Sequence, residues 1–83
     1  MLFYVYIVQC SDNSLYTGIT TDLNRRIEQH NGSRLGAKYT RSRRPVTLAY
    51  AKLIGNRSEA AKEEHRIKKL SRKQKLKLIG ENQ

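Results

Sequence analysis

The chain predicts a small α+β domain of order β-β-α-β-α-α, with a three-stranded antiparallel sheet flanked by helices. Three observations carry that expectation. Two β-branched and aromatic runs, Phe3 to Gln9 and Leu15 to Thr20, are separated by the turn residues Ser11-Asp12-Asn13-Ser14, which reads as a hairpin. A short amphipathic segment with a side-chain cap begins at Asp22. Two later segments open on serines, Ser58 and Ser71, as helices do. At 83 residues the chain has room for one domain, 1–83, and its 37% hydrophobic content supports a thin two-layer core.

In the hairpin, side chains alternate between faces, so Phe3, Val5 and Ile7 share one and Tyr4, Tyr6 and Val8 the other. Tyr16 and Gly18 share a face of the second strand, and the glycine leaves bare backbone beside the phenol, where a ligand or another chain could approach. The first helix takes Thr21 or Asp22 as its cap and stops at Asn31-Gly32. Leu23 and Ile27 define its buried stripe. At roughly 100° per residue, His30 lies about 40° and Arg26 about 80° from the centre of that stripe, while Arg25 points away. Ser33 to Pro45 is basic, has little apolar periodicity and reads as a mobile loop. Val46 to Lys52 is a third strand, and Gly55-Asn56-Arg57 a turn. Ser58 caps a helix through Leu70, and Ser71 with Gln74 forms a capping-box pattern for a last helix that ends at Gly80.

Charge narrows the partners. There are 17 Lys and Arg against 7 Asp and Glu, a formal net charge of +10, and the first 24 residues contain no Lys or Arg. The bases gather in the loop (Arg34, Lys38, Arg41, Arg43, Arg44) and in the last segments (including Lys68, Lys69 and Arg72). Segregated positive charge suits a polyanion, and nucleic acid fits better than a membrane because no broad apolar helix face accompanies the bases. The apolar run Leu2 to Val8 is too short to span a bilayer and lacks the flanks of a signal peptide. A single cysteine, Cys10, forms no internal disulfide or zinc cluster and fits a reducing cytoplasm.

The residues that packing does not call for are Tyr6, Tyr16, Arg26, His30 and a carboxylate on the long helix. Tyr4 and Tyr50, by contrast, read as packing. Phosphodiester hydrolysis needs an activated water, a positive clamp on the phosphoryl group and help for the leaving oxygen. A guanidinium suits the clamp because its planar fork matches phosphate oxygens, and a carboxylate suits a hard divalent cation. Glu63 and Glu64 flank the inward face of the long helix about equally, so helical geometry leaves both open. His65 points away. No P-loop, paired CxxC or nucleophile elbow supports another enzyme class.

Val5-Tyr6-Ile7, then Tyr16-Thr17-Gly18, Arg26 ten residues after Tyr16, His30, and Glu64 on a later helix together resemble the GIY-YIG nuclease superfamily. That group includes homing endonucleases, restriction enzymes and the N-terminal nuclease domain of UvrC. The likeness covers essentially the whole chain. It is strongest to small stand-alone members, through Gly36-Ala37-Lys38-Tyr39-Thr40, Arg43-Arg44-Pro45 and Ile67-Lys68-Lys69-Leu70-Ser71-Arg72. The leading tripeptides are Val-Tyr-Ile and Tyr-Thr-Gly rather than Gly-Ile-Tyr and Tyr-Ile-Gly, which removes no reacting group. By this resemblance Glu64 holds one divalent cation, Mg2+ or Mn2+, and Arg26 is the catalytic arginine. Tyr6 and Tyr16 position or activate water, and His30 takes a place where relatives carry His or Tyr. The resemblance implies a metal-dependent DNA endonuclease of low sequence specificity, with choice by DNA structure as one option, in repair or recombination, with no small-molecule cofactor. The alternative is a non-catalytic nucleic-acid-binding module that keeps the fold.

Overall fold

The computed structural model describes residues 1–81. Its order is β1 (Phe3–Gln9), β2 (Leu15–Thr20), α1 (Leu23–Gly32), α2 (Lys38–Arg41), β3 (Thr47–Gly55), α3 (Arg57–Lys68) and α4 (Arg72–Glu81). The sheet is antiparallel in the order β2-β1-β3, so the first strand is the central one. This is the expected α+β architecture with one addition, the four-residue α2 inside the segment read as a loop. Among the described residues, no helix is long and apolar enough to cross a membrane.

Local chemistry explains most boundaries. In the β1–β2 turn, Asn13 adopts φ 68°, a conformation Asn tolerates, and Asp12 Oδ1 accepts the Ser14 backbone N–H at 3.0 Å. Asp22 caps α1, accepting Arg25 N–H at 3.1 Å, and the Ser33 N–H closes the other end on the Gln29 carbonyl. The cap of α3 is Asn56 rather than Ser58. Asn56 Oδ1 accepts Glu59 N–H at 2.9 Å while the Glu59 carboxylate accepts Asn56 N–H at 3.1 Å. An Asn with Glu three residues on completes a reciprocal box that Ser58 cannot, so Ser58 falls inside the first turn. At the far end the Ser71–Gln74 box forms as expected and α3 stops at Lys68, two residues before Leu70. The third strand runs past Lys52 to Gly55.

The core has two compartments. Val5, Ile7, Tyr50 and Ile67 form one, with Leu78 and Ile79 of α4 packed against it. Tyr6, Val8, Cys10 and Val46 form the other, closed by Leu23 and Ile27 of α1. Helices therefore cover both faces of the sheet. The unbroken burial of Val5, Tyr6, Ile7 and Val8 is the consequence, since a central strand covered on both sides buries every residue rather than alternate ones.

Candidate active site

Tyr6 is the origin of the site. It stands on β1 directly across from Gly18 of β2. A Cβ on Gly18 would lie 2.6 Å from Tyr6 Oη and 2.8 Å from its Cζ, so the phenol lies flat on the glycine backbone. The bare backbone that sequence offered to a ligand or another chain is taken by the neighbouring strand's own tyrosine. Tyr6 is almost wholly buried, and its oxygen meets two partners. His30 Nε2 lies 2.8 Å away and Arg26 Nε donates to it from 3.3 Å.

α1 supplies both partners. Its only buried residue is His30, four positions from the half-buried Arg26, while adjacent Arg25 is exposed. The helical phase thus separates the two arginines as the sequence indicated. Arg26 is also anchored by Nη1, which donates to Gln29 Oε1 at 2.9 Å and to the Leu35 carbonyl at 2.8 Å. Its Nη2 makes no hydrogen bond among the described residues and remains available to an anion.

His30 is fully buried. Its Nδ1 is 2.8 Å from Thr40 Oγ1, which in turn meets the Ala37 carbonyl at 3.0 Å. Burial, followed by the charges of Arg26 and Arg44, pushes the imidazole down to about 4, so it is neutral at neutral pH. Burial pushes the Tyr6 phenol up, against the pull of Arg26; Tyr16 and Glu64 act in the same direction as burial. The Tyr16 ring sits edge-on to His30 with centroids 5.4 Å apart and stacks on Tyr39 at 5.8 Å. Its hydroxyl has no hydrogen-bond partner among the described residues, and the side chain is half-buried.

The two carboxylates on α3 part company in three dimensions. Glu63 receives both Nε and Nη2 of Arg66, at 2.6 and 2.9 Å, and this bond holds its carboxyl below the usual range. Its charge acts on Tyr50, on the apolar side of the sheet. Glu64 instead acts on Tyr6 and forms an ion pair with Lys68 at 3.4 Å. That lysine lies over the Tyr16 ring at 5.8 Å. Among the described residues no three His, Cys, Asp or Glu side chains gather into a cluster. One partly exposed carboxylate with water and substrate oxygens beside it fits a hard octahedral cation such as Mg2+ or Mn2+, which keeps most of its water shell.

The basic segment from Ser33 to Pro45 is not a loose loop. Gly36 sits on α1, where a Cβ would come 2.6 Å from the Gln29 carbonyl and 3.0 Å from His30 Cα. Arg44 donates to the carbonyls of His30 and Ser33 at 2.5 and 2.6 Å. Arg43 pairs with Asp12 at 3.1 Å, donates to the Tyr39 carbonyl and lies 4.0 Å above the Tyr39 ring. Arg41 donates to the Arg34 carbonyl at 2.7 Å but, like Arg34, Lys38, Lys68, Lys69 and Arg72, is exposed. Arg43 and Arg44 hold the segment against the domain, and the other six offer their charge outward. Three neighbours of the site were given no role from sequence: Gln29, and Tyr39 and Thr40, which stand in the motif Gly36-Ala37-Lys38-Tyr39-Thr40 without any sign of what they touch. Only Gln29 has a local signal, its place one helical turn from Arg26.

Comparison with known proteins follows this geometry. A family profile described as the GIY-YIG catalytic domain matches residues 2–77. The UPF0213 protein SH2523 of Staphylococcus haemolyticus is 56% identical over 78 residues, 94% of each chain. The UPF0213 protein DP2720 of Desulfotalea psychrophila is 57% identical over 77 residues, which are 93% of this chain and 70% of that one. Among solved structures, the solution NMR structure of the UPF0213 protein BH0048 from Bacillus halodurans aligns with TM-score 0.61 at 46% identity, covering 96% of this chain and 84% of its own. The NMR structure of protein EF2693 from E. faecalis aligns with TM-score 0.65 at 41% identity and the same coverage.

Proposed function

Because the chain belongs to the GIY-YIG catalytic-domain family, we propose that it is a divalent-metal-dependent endonuclease that hydrolyses phosphodiester bonds, with DNA as substrate and little sequence preference. The observation that carries this reading is the convergence of Arg26 and His30 on one phenol, Tyr6, with Glu64 near enough for its charge to act on that phenol. A fold retained for binding alone has no need of a buried neutral imidazole tied to a tyrosine beside an arginine with a free Nη2.

In this reading Arg26 holds the scissile phosphate through Nη2 while its other nitrogens stay anchored, so little side-chain entropy is lost on binding. Tyr6, with its phenol pushed up by burial, is a neutral hydrogen-bonding group and not a phenolate base. It and Tyr16 orient the attacking water. Glu64 would hold the metal, whose chemistry there is to acidify bound water or to stabilise the leaving oxygen. Arg34, Lys38, Arg41, Lys68, Lys69 and Arg72 hold the nucleic-acid backbone by charge, with Arg43 and Arg44 contributing while they brace the segment.

The test is cleavage of linear, single-stranded and branched DNA by the purified chain with magnesium, manganese or chelator. Wild type should cleave only with metal. Glu64→Ala should lose cleavage by roughly two orders of magnitude or more while binding DNA as well as wild type, since no positive charge is removed. Wild-type binding without cleavage under every condition would sink the nuclease reading and leave a nucleic-acid-binding module.

A further inference from the structure

Counting protons along the buried chain from Arg26 to Ala37 favours one direction. Arg26 Nε carries a hydrogen and no lone pair to offer, so at Tyr6 Oη it can only donate. The Ala37 carbonyl accepts the Thr40 N–H at 3.1 Å and, through its second lone pair, the Thr40 hydroxyl proton at 3.0 Å. Thr40 Oγ1 therefore meets His30 Nδ1 as an acceptor, and Nδ1 carries the imidazole hydrogen. Nε2 is then bare and accepts the Tyr6 hydroxyl proton. The opposite tautomer puts two donors, His30 Nε2–H and Arg26 Nε–H, on the phenol oxygen and strands the phenol's own proton in a buried site. No buried side-chain polar atom lacks a partner among the described residues, and the first arrangement also gives each proton of the chain an acceptor.

We propose that Thr40 is a positioning residue: it sets the tautomer of His30, and His30 in turn holds the Tyr6 hydroxyl proton inward, so that one lone pair of the oxygen accepts the Arg26 Nε–H and the other is left for the substrate side. No other described residue supplies that acceptor. Thr40 is fully buried, and it reaches His30 from a segment that Gly36 brings down onto α1 and Arg44 fastens to the His30 carbonyl. A Tyr6 oxygen that presents only acceptor character can orient the hydrogen of an attacking water; one whose proton points outward opposes it. The inference deepens the nuclease reading and rests on it for its catalytic half, while the tautomer itself does not depend on catalysis.

Long-range proton–nitrogen correlation spectra of the 15N-labelled chain read the tautomer directly, with His65→Gln separating the two histidines. At pH 7 wild type should show His30 with protonated-type Nδ1 and bare, acceptor-type Nε2. Thr40→Val keeps the shape and removes the acceptor, so the pattern should reverse or average; Thr40→Ser restores it. Single-turnover cleavage should fall roughly 10–100-fold in Thr40→Val with DNA affinity unchanged, and recover in Thr40→Ser. A wild-type His30 protonated on Nε2 overturns the proposal even if Thr40→Val does not fold. So does a folded Thr40→Val that keeps the wild-type pattern, or one that changes pattern yet cleaves at the wild-type rate. A wild type with the expected tautomer that cleaves no substrate would refute the nuclease reading and, with it, the catalytic half of the proposal, while supporting the tautomer assignment.

Discussion

The two faces of the sheet are built by different rules. Behind one, Val5, Ile7, Tyr50 and Ile67 meet the aliphatic side chains of α4, and shape alone decides the fit. Behind the other, the hydrocarbon of Val8, Val46, Leu23 and Ile27 surrounds a hydrogen-bonded chain that runs from Arg26 through Tyr6, His30 and Thr40 to Ala37. Hydrocarbon burial is non-directional and supplies stability; a buried polar chain must have every donor matched to an acceptor and supplies geometry instead. One strand serves both, since consecutive residues of β1 point to opposite faces. The lesson is that the site occupies half of the core itself rather than sitting in a groove on a finished scaffold.

The comparison is most sharply tested on the apolar face. Ile67→Ala removes a fully buried side chain and should cost about 2–5 kcal/mol, read as a lower urea midpoint. The His30 nitrogen signals should stay at their wild-type positions in the folded fraction. If they move, the two compartments are one cooperative core and the distinction fails.

A smaller effect should come from acid on the polar face. His30 is held near 4 in the folded chain against an ordinary 6.5, so between these values the unfolded chain binds the proton and the folded chain does not. Stability is therefore greatest above pH 6.5 and should be lost as the pH falls toward 4. Urea midpoints measured across that window should slope downward in wild type and flatten in His30→Gln. An equal slope in both chains would remove His30 from the account.

The smallest effect separates two neighbours on α1. Arg25→Ala, at an exposed position, should change stability by no more than about 0.5 kcal/mol and leave cleavage intact. Arg26→Ala should lower cleavage and weaken DNA binding together, because it would hold the phosphate before and during reaction. A cleavage loss of similar size in both would show that charge alone, and not the anchored geometry of Arg26, is what the site uses.

Short-range chemistry explains what the chain reveals unaided. The hairpin, the Asp22 cap, the Ser71–Gln74 box and the inward turn of Arg26 and His30 depend on residues within a few positions of one another, and all were legible. The Asn56 cap was legible too, but a nearby serine competed for the same role. Distance in sequence hid the rest. Helical phase put Glu63 and Glu64 on equal terms, each with a base one turn on, and only the packing of α3 against the sheet brings one to act on Tyr50 and the other on Tyr6. A basic stretch without periodicity read as loose because its anchors are backbone carbonyls of α1 and the carboxylate of Asp12, partners that no local pattern announces. Above all, nothing near Thr40 marks it as the partner of an imidazole ten residues back. Propensity and periodicity are sums over neighbours along the chain, whereas the direction of a buried hydrogen-bond chain is settled by groups that meet only when the sheet, α1 and the segment from Ser33 to Pro45 close on one another.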